Sequence, residues 1–131
     1  MIQETPEQPQ KKQRKQSEMK LQARCFVMSW NEFPETRRLL FHVENELNLP
    51  GQNAARGAIR RSEGIVKGVS DLILLIPRHG YHGLMIEMKT PDGYWRKDQQ
   101  EWAALVRAQG YRYEVIRTED DFRALLKEYL G

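Results

Sequence analysis

Asp71-Leu-Ile-Leu-Leu-Ile-Pro77 and Leu84-Met-Ile-Glu-Met-Lys89, joined by Arg78-His-Gly-Tyr-His-Gly83, decide how this chain folds. The first stretch is too short for a typical helix, apolar on both faces and bounded by glycine and proline, so it reads as a central strand. The second returns after a glycine-containing turn, and two apolar runs joined in this way predict an antiparallel hairpin. Side chains alternate across a strand, which puts Glu87 and Lys89 on one face with Met85, and Leu84, Ile86 and Met88 on the other. Asp71 shares its face with Ile73 and Leu75. A register pairing odd positions with odd positions sets Asp71 beside Glu87 or Lys89, and a slip by one separates them.

Two carboxylates brought together in a partly dry site repel, and one is driven toward protonation unless a cation lies between them. Oxygen donors select hard ions, so Mg2+ or Mn2+ is favoured over zinc, and magnesium often binds through one or two carboxylates plus water and substrate phosphate. Lys89, on the face of Glu87, can hydrogen-bond a water that attacks phosphorus and stabilise its hydroxide form. The combination implies metal-assisted phosphodiester hydrolysis.

Upstream, Ser17 is expected to cap a helix whose buried stripe is Leu21, Cys25 and Met28, with Glu18 and Gln22 on or beside that stripe. Pro34 ends this element or begins the next turn, Leu39 to Val43 reads as a short strand, and Leu49-Pro50-Gly51 is a turn. Gln52 to Arg61 then reads as a helix with Arg56 and Arg60 on one face, before Gly64 to Gly68 breaks the pattern. Downstream of the hairpin, Pro91 to Trp95 is a loop. Arg96 to Gln109 is a helix burying Trp102, Leu105 and Val106 and stopped by Gly110. Tyr113 to Ile116 is a last strand, and Thr118 caps a last helix with the stripe Phe122, Leu125 and Leu126. The expected fold is α/β: a mixed sheet flanked by helices in the order αβαββαβα.

At 131 residues, 40% of them hydrophobic, the chain suits one domain with a real core. It contains no apolar run long enough to span a membrane, no signal-peptide pattern and a single cysteine, Cys25. A membrane protein, a disulfide scaffold and a zinc ribbon are therefore not expected, and a cytoplasmic location is. The net charge of +3 is unevenly placed: residues 1–16 carry +2 through Lys11, Lys12, Arg14 and Lys15 against Glu4 and Glu7. That segment holds Pro6, Pro9 and no apolar residue between Gln3 and Gln16, so it reads as a mobile basic arm preceding a domain at 17–131. A nearly neutral body binds nucleic acid only through a local patch, for which Arg56, Arg60, Arg61 and Lys67 are the candidates. A solvated helix face predicts the same residues.

Asp, a hairpin, then Glu-x-Lys resembles the restriction-endonuclease-like PD-(D/E)XK nuclease superfamily. Within it, the chain resembles the VRR-NUC family, the virus-type replication-repair nucleases. The motifs carrying that resemblance are Ser17-Glu18-Met-Lys-Leu-Gln22, Phe41-His42-Val-Glu-Asn45, Gly64 to Gly68 followed by Val-Ser-Asp71, Gly83-Leu-Met-Ile-Glu87-Met-Lys89, and Gln99-Gln-Glu-Trp102 leading to Gly110-Tyr111. Each motif is weak alone; their order and spacing are specific. The resemblance implies that Asp71 and Glu87 are metal ligands, joined by Glu18 and the backbone carbonyl of Met88. It makes Lys89 the catalytic lysine and Gln99 a supporting catalytic residue, with Gln22 a weaker candidate. Ser70 stands where the family usually has proline, which leaves the charged group intact. The activity implied is a Mg2+- or Mn2+-dependent endonuclease acting on branched or otherwise structured DNA, in viral or phage replication or repair and in the host cytoplasm if viral. It implies no organic cofactor. Dimerisation is attractive because two sites about a two-fold axis address two strands.

The rival reading is a non-catalytic nucleic-acid-binding module that retains the fold. Glu87 and Lys89 alone would be an ordinary strand charge pair; the Asp71 run and the polar stripe at Glu18 reverse that preference. His79 and His82 read as residues of an exposed loop, and His42 and Asn45 as structural hydrogen-bonders without a derivable role. Tyr94 and Trp95 are split between stacking on an unpaired base and packing over the sheet.

Overall fold

The computed structural model describes residues 7–44 and 53–131, with side chains from residue 13 onward. The elements run α1 (Glu7–Glu32), a short 3-10 turn (Pro34–Thr36), β1 (Leu40–His42), α2 (Ala54–Ser62), β2 (Leu72–Leu74), β3 (Leu84–Met88), α3 (Lys97–Ala108), β4 (Arg112–Ile116) and α4 (Glu119–Leu130). The strands form one sheet in chain order. β1 pairs antiparallel with β2 and β2 with β3, while β3 and β4 are parallel, as a crossover through α3 requires. The expected element order and mixed sheet are both present.

Register follows the parity argument. Leu72 opposes Ile86 and Ile73 opposes Met85, so the line of pairs carried one step outward runs from Asp71 to Glu87. One face, with Leu40, Leu72, Leu74, Leu84 and Ile86, buries against Leu21, Cys25 and Met28 of α1 and Phe122, Leu125 and Leu126 of α4. The other face, with Met85 and Tyr113, packs under Ala103, Trp102 and Val106 of α3. Among the described residues no helix is long and apolar enough to cross a membrane.

Three local expectations need correction. α1 starts at Glu7, so Ser17 lies inside the helix rather than capping it. The Gln, Lys and Arg residues there are good helix formers, and Pro9 sits in the first turn, where its missing N–H has no intrahelical acceptor to lose. Leu105 is 66% exposed because it stands off the row of Gln99, Ala103 and Val106 that faces the sheet. β2 ends at Leu74, leaving Leu75 exposed. Residues 1–6, the turn at Leu49-Pro50-Gly51 and the start of the second helix at Gln52 lie outside the described residues, as does Asn45.

Gly68 fixes how the loop before β2 meets α3. Its φ is +88°, and a Cβ there would stand 2.4 Å from the Asp98 carbonyl oxygen in the first turn of α3. Gly64 has a similar φ of +95° but open space around its missing Cβ. Gly68→Ala should therefore cost about 3 kcal/mol or more in urea unfolding, and Gly64→Ala only about 1 kcal/mol. Equal costs would mean the close approach to α3 is unimportant.

Candidate active site

β2 and β3 deliver the acidic residues to one end of the sheet. The Asp71 Oδ2 atom accepts the Met88 backbone N–H at 2.7 Å, which ties the residue before β2 to the end of β3. The Asp71 carbonyl accepts two further bonds, from Val43 N–H and from His42 Nδ1, each at 2.9 Å. His42 thus acquires the role its sequence context did not supply: it holds the backbone of Asp71, with Nδ1 as the protonated nitrogen.

Glu87 is 3% exposed. Its Oε1 accepts Gln99 Nε2–H at 2.7 Å and lies 3.8 Å from the Lys89 ammonium, itself buried at 5% exposure. Gln99 also uses its Oε1 to accept the Arg96 N–H at 3.0 Å, so one amide caps α3 and orients the carboxylate. The second oxygen, Glu87 Oε2, is buried without a hydrogen-bond donor among the described residues. The Asp71 and Glu87 carboxyls approach within hydrogen-bonding range of each other, though ionised carboxylates offer only acceptors. Burial first, and then the Asp71 charge, push the Glu87 carboxyl up to about 9. Asp71 is raised chiefly by burial, against the lowering effect of the Met88 N–H.

Glu18 reaches the same cavity from α1. Burial raises its carboxyl, while Lys89 and the Thr90 backbone N–H hold it down. Among the described residues no three acidic, histidine or cysteine side chains converge into a group that could hold a metal ion, although Glu18 lines the same cavity and its charge acts on Glu87. The donor set nonetheless suits a hard divalent ion held by two carboxylates with water completing its shell. The donorless Oε2 atom is the observation that fits it.

Of the basic residues singled out in sequence, Lys67 lines the cavity. Arg56, Arg60 and Arg61 do not: α2 carries them elsewhere, with Arg60 lying 3.7 Å from Glu44. Further cavity cations are Arg14 and Lys15, which the sequence reading assigned to the basic arm, and Arg96, which it missed. Arg14, Glu18 and Gln22 recur at helical spacing, so extending the α1 stripe backwards would have found the first. Arg117 was also missed. Its guanidinium donates to the carbonyls of Thr90 at 2.8 Å and Gly93 at 2.9 Å, pinning the loop that follows Lys89. His79 and His82 lie away from the cavity, bonded to the Glu128 carbonyl and edge-on to Tyr111. Trp95 packs on Tyr113, and its neighbour Tyr94 is 73% exposed at the cavity. Ser70, fully buried, bonds the Leu72 carbonyl.

The family model for the VRR-NUC domain matches residues 4–120. A solved structure described as a "VRR_NUC domain protein" is similar at 25% identity and a TM-score of 0.64, over 86% of this chain and 87% of that one. No curated protein sequence matches.

The carboxyl pair predicts a pH-dependent stability. In chelator, folded Glu87 keeps a proton that the unfolded chain releases above its ordinary value of 4.5, so its contribution is full below that pH and is lost as pH rises toward about 9. Glu87→Gln should flatten this slope in chemical denaturation and be more stable than wild type at the alkaline end. An unchanged slope would show that Glu87 does not keep its proton in the folded chain.

Proposed function

The chain belongs to the VRR-NUC family, a nuclease-type family, and from that premise we propose that it is an endonuclease hydrolysing DNA phosphodiester bonds with Mg2+ or Mn2+. The observation that carries the reading is the half-buried Asp71 beside the buried Glu87, with the Lys89 ammonium 3.8 Å from Glu87 and one buried Glu87 oxygen that has no hydrogen-bond donor among the described residues. Asp71 and Glu87 would hold the ion, with Glu18 and the Met88 carbonyl as further oxygen donors nearby. When bound, the ion supplies charge stabilisation on the phosphate and lowers the pKa of water.

The chain's own residues do the rest. Lys89 donates to the attacking oxygen and offsets negative charge developing at phosphorus. Gln99 keeps Glu87 in its rotamer, and His42 and the Met88 N–H keep Asp71 in place. Arg14, Lys67 and Arg96 around the cavity attract the phosphate backbone. The reading extends to branched or flapped DNA in viral replication or repair, cut by a homodimer whose two sites address two strands.

The test compares linear, flapped and four-way DNA with wild type and two variants. Cleavage should need Mg2+ or Mn2+ and stop in excess chelator. Glu87→Ala should abolish it while remaining folded, and Lys89→Ala should retain ion binding but slow turnover about 10²–10³-fold. Undiminished cleavage in chelator contradicts the metal mechanism. Junctions bound but left intact under every divalent ion would make the protein a binding module.

A further inference from the structure

The cavity is larger than a carboxylate pair needs. Its volume of about 1020 Å3 lies at the top of the roughly 300–1,000 Å3 of sites that enclose whole organic ligands. Its lining carries both kinds of group, polar ones in Asp71, Glu87, Lys89 and Arg96 and apolar ones in Met19, Phe26, Phe41, Val43 and Tyr94. Met19 is 59% exposed, Phe41 39% and Tyr94 73%, so the apolar part presents large side chains that the described residues leave uncovered.

The exposure of Phe41 has a structural origin. Phe41 opposes Ile73, which opposes Met85, which opposes Tyr113, so all share the face covered by α3. α3 packs over Met85 and Tyr113, but edge strand β1 lies beyond its cover and Phe41 turns into the cavity instead. Trp95 is excluded from this surface by its stacking on Tyr113.

We propose that the apolar wall receives an unpaired nucleobase adjoining the scissile phosphodiester, which makes the substrate class DNA with an unstacked nucleotide at the cleavage point. The inference rests on the nuclease reading and narrows it. A nucleotide joins a charged phosphate to a base with an apolar face, and the cavity lining supplies partners for both. Inside a duplex both faces of a base are covered by its neighbours, so only an unpaired or extruded base can lie on Phe41 or Tyr94. Aromatic side chains accept the π-face of any base, so this subsite selects DNA structure and tolerates sequence.

The experiment is a double-mutant cycle by equilibrium binding of the full chain to a flapped DNA duplex, in chelator so that cleavage does not intervene. A tetrahydrofuran abasic unit is placed in turn at each unpaired position. For wild type, loss of one particular base should weaken binding about tenfold or more, and the same abasic unit should change nothing further in Phe41→Ala or in Tyr94→Ala. Tyr94 is exposed enough that its variant will fold even if Phe41→Ala does not. If neither side chain couples to any base while Mg2+-dependent cleavage of the same DNA persists, the subsite is wrong and the nuclease reading stands. Coupling without cleavage under any divalent ion keeps the base site and removes the nuclease. Absence of DNA binding at low salt overturns both.

Discussion

The Asp71 and Glu87 carboxyls face each other at one end of the sheet, Glu87 buried and Asp71 half-buried at the cavity, and most of the surrounding structure is arranged around that contact. Burial disfavours each charge separately and their proximity disfavours both together. Glu87 is consequently raised to about 9, and its Oε2 atom has no donor among the described residues. An arrangement of this kind is costly to the isolated fold and useful to a site that takes up a cation. The cost is localised, because the sheet on either side of the pair is an ordinary apolar core.

Holding such a pair requires that its neighbours be fixed by groups unaffected by its charge state. The backbone of Asp71 is gripped by His42 and Val43 from β1, and its side chain by the Met88 N–H from β3. Glu87 is gripped by Gln99, whose amide is in turn fixed by capping α3. Gly68 brings the preceding loop hard against that same first turn. Arg117 plays the corresponding part on the far side, closing the loop after Lys89 by binding its carbonyls. Each of these supports reaches across a different element, so the site depends on the whole fold rather than on one motif.

Parity within two short strands narrowed the partner of Asp71 to Glu87 or Lys89, but strands apolar on both faces do not fix their own register, and it is the pairing of Leu72 with Ile86 that selects Glu87. The helices after the hairpin were legible for similar reasons, through Gly110 as a stop and Thr118 as a cap whose side chain accepts the Asp121 N–H. What was not legible depended on contacts between segments distant in sequence. Arg56 and Arg60 of α2 share a helical face, but nothing in their spacing tells whether that face borders the cavity. His42 and Arg117 act on backbone carbonyls, which carry no residue-specific signal. The early start of α1 was hidden by composition: a polar, proline-containing segment resembles a solvated tail until its helix formers are counted beside Glu18 and Gln22.

The central proposal is that Asp71 and Glu87 would hold a divalent ion, whose binding must displace the proton that burial and the neighbouring carboxylate keep on Glu87. Calorimetric titration of Mn2+ near neutral pH, repeated in buffers of different ionisation enthalpy, measures the protons released per ion bound. The account predicts release of about one proton per ion in wild type and almost none in Glu87→Gln. Ion binding with no proton release in wild type, or no ion binding at all, would contradict it.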